Sequence, residues 1–280
     1  MSIIQSILLG IIQGLTEFLP VSSSGHLVII PYLFGWEIPP QDAFIFDVLV
    51  QVATLVAVFA YFWKDLVTIG RAWLAGLFQG KPFADPNSRL GWLLILATIP
   101  SGIIGLLLKN AVEAAFASPA AAGFFLLVTA GLLIVAERSS NAEKDGEREH
   151  KMTGLSWLDA LLIGLSQALA IFPGVSRSGA TITGGMTRGL QRPAAARFSF
   201  LMSVPIMLAA GLLAGLDLAV TPHLAQLLPT FIPGFLAAAV VGYLSIRWLL
   251  AYLTRRPLYG FAVYCAGLGL LTLVLSLSGH

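Results

Sequence analysis

The chain has 280 residues, 57% of them hydrophobic and 11% charged, with a formal net charge of +2 and a mean hydropathy of +0.87. Soluble proteins carry about 25% charged residues, so this composition excludes a soluble domain, and no nucleic-acid partner is expected. The single cysteine, Cys265, excludes an internal disulfide and lies in an apolar run where packing is its expected role.

The first apolar region, 3–35, lacks a basic leading stretch and runs into Gln13, Glu17 and three serines, so no cleavable signal peptide is expected. Pro, Gly and Ser break it in the middle, which predicts two short helices joined by a polar turn: a re-entrant hairpin. Apolar stretches at 44–63, 90–108 and 119–136 then approach the roughly 20 residues that a bilayer crossing takes. The segment 137–156 is charged and reads as a solvated linker between halves. A second broken region, 157–190, predicts another hairpin, followed by spans at 197–217, 230–250 and 258–277. His150, His223 and His280 have no neighbouring ligand pattern and read as surface residues.

The expected fold is therefore an all-α polytopic membrane protein with about six transmembrane helices and two re-entrant hairpins. Residues 1–136 and 157–280 form two repeats, and three spans in each make the second repeat inverted relative to the first. With the N-terminus outside, the inner loops and span ends collect Lys64, Arg71, Lys81, Arg89, Arg138, Lys144, Arg148, Lys151, Arg188, Arg192, Arg197, Arg247, Arg255 and Arg256. Only Lys109 falls outside. This asymmetry follows the positive-inside rule and places both termini outside.

The repeat is visible at residue level. Laying 10–25 over 164–179 without a gap matches Gly10/Gly164, Gln13/Gln167, Leu15/Leu169, Phe18/Phe172, Val21/Val175, Ser22/Ser176, Ser24/Ser178 and Gly25/Gly179. Phe44/Phe198 and Phe46/Phe200 follow at the same offset. The differences are reactive groups: Glu17 and His26 face Ile171 and Ala180, whereas Arg177 stands where the first copy has Ser23. Irregular backbone at membrane depth is tolerated where it lines a protein-enclosed or wet cavity, so the two tips are expected to share one composite site.

Glu17 costs about 2.5–3.5 kcal/mol to insert on translocon scales, and such groups usually mark function. Gln13 one turn earlier and His26 past the turn make an oxygen-rich wall for a hard divalent cation, Mg2+ or Ca2+. A carboxylate that merely caps a helix end is the ordinary alternative. In Ser22-Ser23-Ser24-Gly25-His26, a serine near a histidine is the minimum kit for nucleophilic catalysis, while Gly25 lets backbone amides approach an anion. Serines that serve only helix packing are the competing explanation. Arg177, flanked by Ser176, Ser178, Gly179 and Thr181 at a helix start, offers a bidentate fork to phosphate. An arginine reaching to the interface would not need that surround. Phosphate or diphosphate fits this set better than a carboxylate. Membrane acid phosphatases with a histidine nucleophile need a second histidine after the arginine with an acidic residue shortly beyond, and the stretch SGATITGGMTRGLQ that follows Arg177 has neither.

Gln13 to His26 together with Pro173 to Thr181 resembles the signature pair of the bacterial undecaprenyl-diphosphatase family, the bacitracin-resistance-type membrane phosphatases. Gln51, Phe62-Trp63, Phe198 to Leu201 and Val204-Pro205 extend the resemblance along the chain. It implies metal-dependent dephosphorylation of undecaprenyl diphosphate, recycling a lipid carrier for cell-wall synthesis. The site would open to the outer side of a bacterial plasma membrane. Carried over by motif, Glu17 is the essential carboxylate, Ser23 the favoured nucleophile, His26 the essential histidine and Arg177 the diphosphate clamp. Ser22, Ser24, Gly25, Ser176, Ser178, Gly179 and Thr181 would contact substrate, and Glu17 and Gln13 the metal. Many members carry an acidic residue where this chain has Gln13. The base could be His26 or Glu17, and direct attack by water stands beside a phosphoserine route. A transporter or flippase for a prenyl phosphate is the alternative function, since inverted repeats with broken helices also build carriers. The partners expected are the polyprenyl diphosphate, membrane lipid and a possible second copy of the chain.

Overall fold

The computed structural model describes residues 1–142, 152–219 and 224–278. The middle of the linker, His150, His223 and His280 lie outside the described residues. The described chain is helical: α1 (Ile3–Thr16), α2 (Ser23–Leu33), α3 (Pro40–Phe78), α4 (Pro86–Leu107), α5 (Lys109–Phe116), α6 (Pro119–Ala142), α7 (Trp157–Ala168), α8 (Arg177–Thr187), α9 (Arg192–Ala219), α10 (Leu224–Leu253) and α11 (Tyr259–Leu277). Among the described residues, six helices are long and apolar enough to cross a membrane: α3, α4, α6, α9, α10 and α11. They fall where the sequence predicts spans, and α1/α2 and α7/α8 are the arms of the two hairpins.

One boundary needs correction. The first span was bounded at 44–63, but α3 continues to Phe78, with a non-helical residue at Phe62 (φ −99°, ψ 19°) where its direction changes. Lys64, Asp65 and Arg71 lower the hydropathy of that second part without breaking a helix. The segment beginning at Lys109, which is expected outside, forms α5, an eight-residue helix with no buried residues.

The two copies are built alike. Ser2 caps α1 and Ser156 caps α7, each closing a capping box with the residue three further on, Gln5 and Asp159. Gly35 and Gly189 follow α2 and α8 with φ of 59° and 83°, a left-handed turn that glycine adopts without penalty. Gly10 and Gly164 sit at equivalent helix crossings. A Cβ on Gly10 would lie 2.2 Å from the Gly234 carbonyl oxygen, and one on Gly164 2.3 Å from that of Ala97. Small residues thus let α1 close on α10 and α7 on α4. Each hairpin packs against a span of the other copy, while α3 packs on α9 and α6 on α11. The exchange brings both hairpin turns to the centre of the molecule, where Phe18 stands edge-on to Phe200 with ring centroids 5.4 Å apart.

Ion pairs gather at one end of the bundle. Arg188 Nε reaches Asp159 at 2.6 Å and Arg197 Nη2 reaches Asp65 at 2.8 Å. Arg192 grips the fully buried Glu137 with two nitrogens, and Glu137 also accepts from the Leu258 amide at 2.8 Å. A buried carboxylate with three donors is compensated where an isolated one would not be.

Candidate active site

The site is made where the two hairpin turns touch. Ser22 caps α2 and Ser176 caps α8, and each side-chain oxygen accepts from the amide of the glycine three residues later, Gly25 and Gly179, at 3.2 and 3.0 Å. Ser22 Oγ also accepts from the Gly174 amide of the opposite turn at 3.1 Å. Ser178 Oγ returns the contact by donating to the Leu19 carbonyl at 3.1 Å. Thr129 of α6 braces the second turn, donating to the Gly174 carbonyl at 2.8 Å and accepting from the Ser176 amide at 2.9 Å. Ser22 is the one non-glycine residue with positive φ among the described residues (φ 69°, ψ 98°). Such a backbone costs about 1–3 kcal/mol and persists where the surroundings enforce it.

These turns border a cavity of about 230 Å³. Its polar wall holds Glu17, Ser22, Ser23, Ser24, Ser176, Arg177 and Gln51, and Phe116, Ile206, Met207 and Ala210 supply an apolar side. The N-termini of two eleven-residue helices, α2 and α8, meet this wall. Their first-turn amides and positive dipole ends favour an anion.

Glu17 is the hub. Its Oε1 accepts from Arg177 Nη2 at 2.7 Å, and its Oε2 accepts from Ser23 Oγ at 2.5 Å and from Gln13 Nε2 at 2.9 Å. Two buried atoms beside it have no hydrogen-bond partner among the described residues: Arg177 Nη1 and Gln13 Oε1. Buried polar groups are rarely left so. Arg177 lines the cavity, whereas Gln13 is not among the residues that border it. One is a donor suited to a phosphate oxygen. The other is an acceptor suited to a cation.

The structure brings Glu17, Ser23 and Arg177 together and places several other expected contact residues behind the wall. His26 is buried and does not line the cavity; its nitrogens bond to the Ser22 carbonyl and the Tyr264 hydroxyl, each at 2.7 Å. Glu17, not His26, is therefore the group in contact with Ser23. Gly25 packs on Gly174, where a Cβ would meet the Gly174 Cα at 2.9 Å, and Gly179 packs on Ser176. Ser178 is spent on the opposite turn. Thr181 turns back to the Arg177 carbonyl at 2.7 Å and to Ser199 Oγ at 2.6 Å, away from the cavity. Thr129, Tyr264 and the apolar lining residues were not anticipated, since residues of ordinary type in apolar spans give no local signal. Gln51 was named only as part of the family resemblance, without a role in the site.

A family model described as bacitracin resistance protein BacA matches residues 6–271. A relative from Thermomicrobium roseum named undecaprenyl-diphosphatase is 44% identical over 275 residues, covering 98% of each chain. Relatives of the same name from Chlorobaculum tepidum and Methanosphaera stadtmanae are 43% and 40% identical, covering at least 99% of each chain.

Proposed function

The chain belongs to the bacitracin resistance protein BacA family, and on that premise we propose that it is an undecaprenyl-diphosphatase. It hydrolyses the lipid diphosphate to undecaprenyl phosphate and inorganic phosphate. The observation that carries the chemistry is Glu17, which holds the hydroxyl of Ser23 on one oxygen and the guanidinium of Arg177 on the other, at the mouth of two helix N-termini. The relatives are named for this hydrolysis and not for transport, so the carrier alternative is not retained.

The diphosphate binds with its terminal phosphoryl group between Ser23 and Arg177. The unpartnered Arg177 Nη1 and the helix amides neutralise its oxygens. Glu17 accepts the Ser23 proton as Ser23 Oγ attacks the terminal phosphorus. The new Oγ–P bond forms as the bridging P–O bond breaks, and undecaprenyl phosphate leaves. Glu17 gives that proton up to the departing undecaprenyl phosphate; water then attacks the phosphoserine as Glu17 takes a proton from it and returns it to Ser23 Oγ, and phosphate departs with Ser23 restored. Glu17 and Gln13, one carboxylate and one unpartnered amide oxygen, would hold a hard divalent cation, Mg2+ or Ca2+. When bound there, the cation would supply charge neutralisation at the diphosphate.

The prenyl chain would leave along Phe116, Ile206, Met207 and Ala210 toward lipid. The cation-bearing helix ends, from Lys64 to Arg71 and at Arg138, Arg188, Arg192, Arg255 and Arg256, occupy the inner side in this proposal. The cavity lies toward the other end, beside α5, and so opens outward from a bacterial plasma membrane. The second repeat then runs inverted to the first, with both termini outside. All reacting groups come from one chain, so a homodimer would hold two independent sites.

The test is phosphate release from undecaprenyl diphosphate by purified protein in detergent, with Mg2+, with Ca2+ and with chelator. Release that needs a cation is the expected result; no release under any metal would overturn the assignment. Labelling of a cysteine placed in the 137–156 linker from the inner side only would support the orientation, and labelling from outside would reverse it.

A further inference from the structure

His26 has the wiring of a strut. A carbonyl oxygen can only accept, so the 2.7 Å contact with the Ser22 carbonyl puts the proton on Nδ1. In the neutral ring Nε2 is then the acceptor and takes the O–H of Tyr264, also at 2.7 Å. The lone pair that a general base would offer is occupied. Tyr264 also lies parallel to the imidazole, with an interplanar angle of 4° and centroids 5.7 Å apart. Its neighbour Cys265 faces the same turn, with Sγ 3.7 Å from the Pro20 carbonyl oxygen.

The carbonyl held in this way belongs to Ser22, whose backbone is left-handed. The second repeat supplies an internal comparison. Ser176 has the same capping role, but its φ is −71° and ψ 120°, and the residue four places on is Ala180. The strained turn occurs in the copy that carries the histidine. It is also the copy whose next residue, Ser23, must reach Glu17.

We infer that Tyr264 is a positioning residue for the reaction: it fixes the tautomer and orientation of His26, which holds the Ser22 carbonyl and so aims Ser23 at Glu17. This inference rests on the phosphatase assignment above. Without the tyrosine hydroxyl the imidazole is free to move its proton to Nε2, and the Ser22 carbonyl loses its shorter, side-chain donor and keeps only the His26 amide at 3.2 Å. The loss falls on the attacking serine rather than on diphosphate binding.

The test compares Tyr264→Phe, His26→Ala and His26→Asn, assayed for phosphate release in detergent. The amide nitrogen of asparagine is as many bonds from Cα as Nδ1 is, so His26→Asn keeps a donor for Ser22 but has nothing to offer Tyr264 and cannot serve as a base. Tyr264→Phe is expected to lower kcat about tenfold with KM within about twofold. His26→Asn is expected to exceed His26→Ala by about tenfold or more, and adding Tyr264→Phe to it should change kcat less than about twofold. Equal loss in His26→Asn and His26→Ala would overturn the strut and restore a base. A tenfold effect of Tyr264→Phe that persists in the His26→Asn background would show that the tyrosine acts by another route. If Tyr264→Phe does not fold, the two histidine variants decide alone. Release by the wild-type protein tests the phosphatase assignment itself, and the ranking of the variants tests the strut.

Discussion

Arg177 Nη2 lies 2.7 Å from Glu17 Oε1, so an ion pair across the two repeats ties the start of α8 to the end of α1. The pair uses one branch of the guanidinium and leaves Nη1 buried and unpartnered. A planar fork can hold the carboxylate and a phosphate oxygen at once. Lysine carries its donors on one nitrogen and cannot reproduce that planar fork. Arg177→Lys should therefore lower kcat/KM on the order of 10²-fold or more, measured as phosphate release in detergent. Full activity in that variant would remove the clamp from the mechanism.

Ser23 is the hydroxyl held by Glu17, and its removal separates two chemical routes. Ser23→Ala should lose at least about 10³-fold in kcat if the serine forms a covalent intermediate. Acid-quenched wild-type protein should then carry phosphate on the peptide containing Ser23, read by mass spectrometry. Near-normal turnover by Ser23→Ala would instead assign the attack to water, with Glu17 activating it.

Gln13 offers a neutral oxygen where a carboxylate would bind a cation more strongly. Gln13→Glu should lower the Mg2+ concentration needed for half-maximal activity, and Gln13→Leu should raise it. Titrating the metal-stripped protein with Mg2+ reads both. An unchanged midpoint in the two variants would place the cation elsewhere.

Gly10 and Gly164 are fixed by close approach rather than by chemistry. Gly10→Val and Gly164→Val would each put side-chain atoms into a neighbouring carbonyl, and overpacking typically costs about 1–3 kcal/mol or more. Both should lower the melting temperature in detergent and the yield of folded protein. Gly131→Ala, where a Cβ meets nothing within 4 Å, should be neutral or gain up to about 1 kcal/mol of helix stability. Equal melting temperatures across the three would contradict the packing described here.

The six spans and two hairpins were legible because hydropathy over some twenty residues is a strong signal and Pro-Gly-Ser interruptions are stronger still. The contact of Glu17 with Arg177 is legible in the sequence only as a meeting of two tips. The role of His26 is not. Four residues after Ser22, it reaches back along the helix to that carbonyl, and the left-handed Ser22 that sets this direction leaves no mark in sequence. Thr181 misled for a related reason: a threonine four residues after Arg177 can bond the helix backbone as readily as a ligand, and here it does. The second part of α3 was missed because Lys64, Asp65 and Arg71 lower hydropathy while leaving helix propensity intact.

The separation of Glu17 from Arg177 along the chain also sets an order of events during synthesis. The carboxylate emerges first, and its counter-charge is 160 residues behind it. At the usual 5–20 residues per second of translation, that is a wait of roughly 8–32 s. For that interval α1 is a short apolar helix ending in an uncompensated acid, which is most cheaply left at the aqueous surface. Seating of the first hairpin is thus expected to be among the last steps of assembly, triggered when the second one arrives.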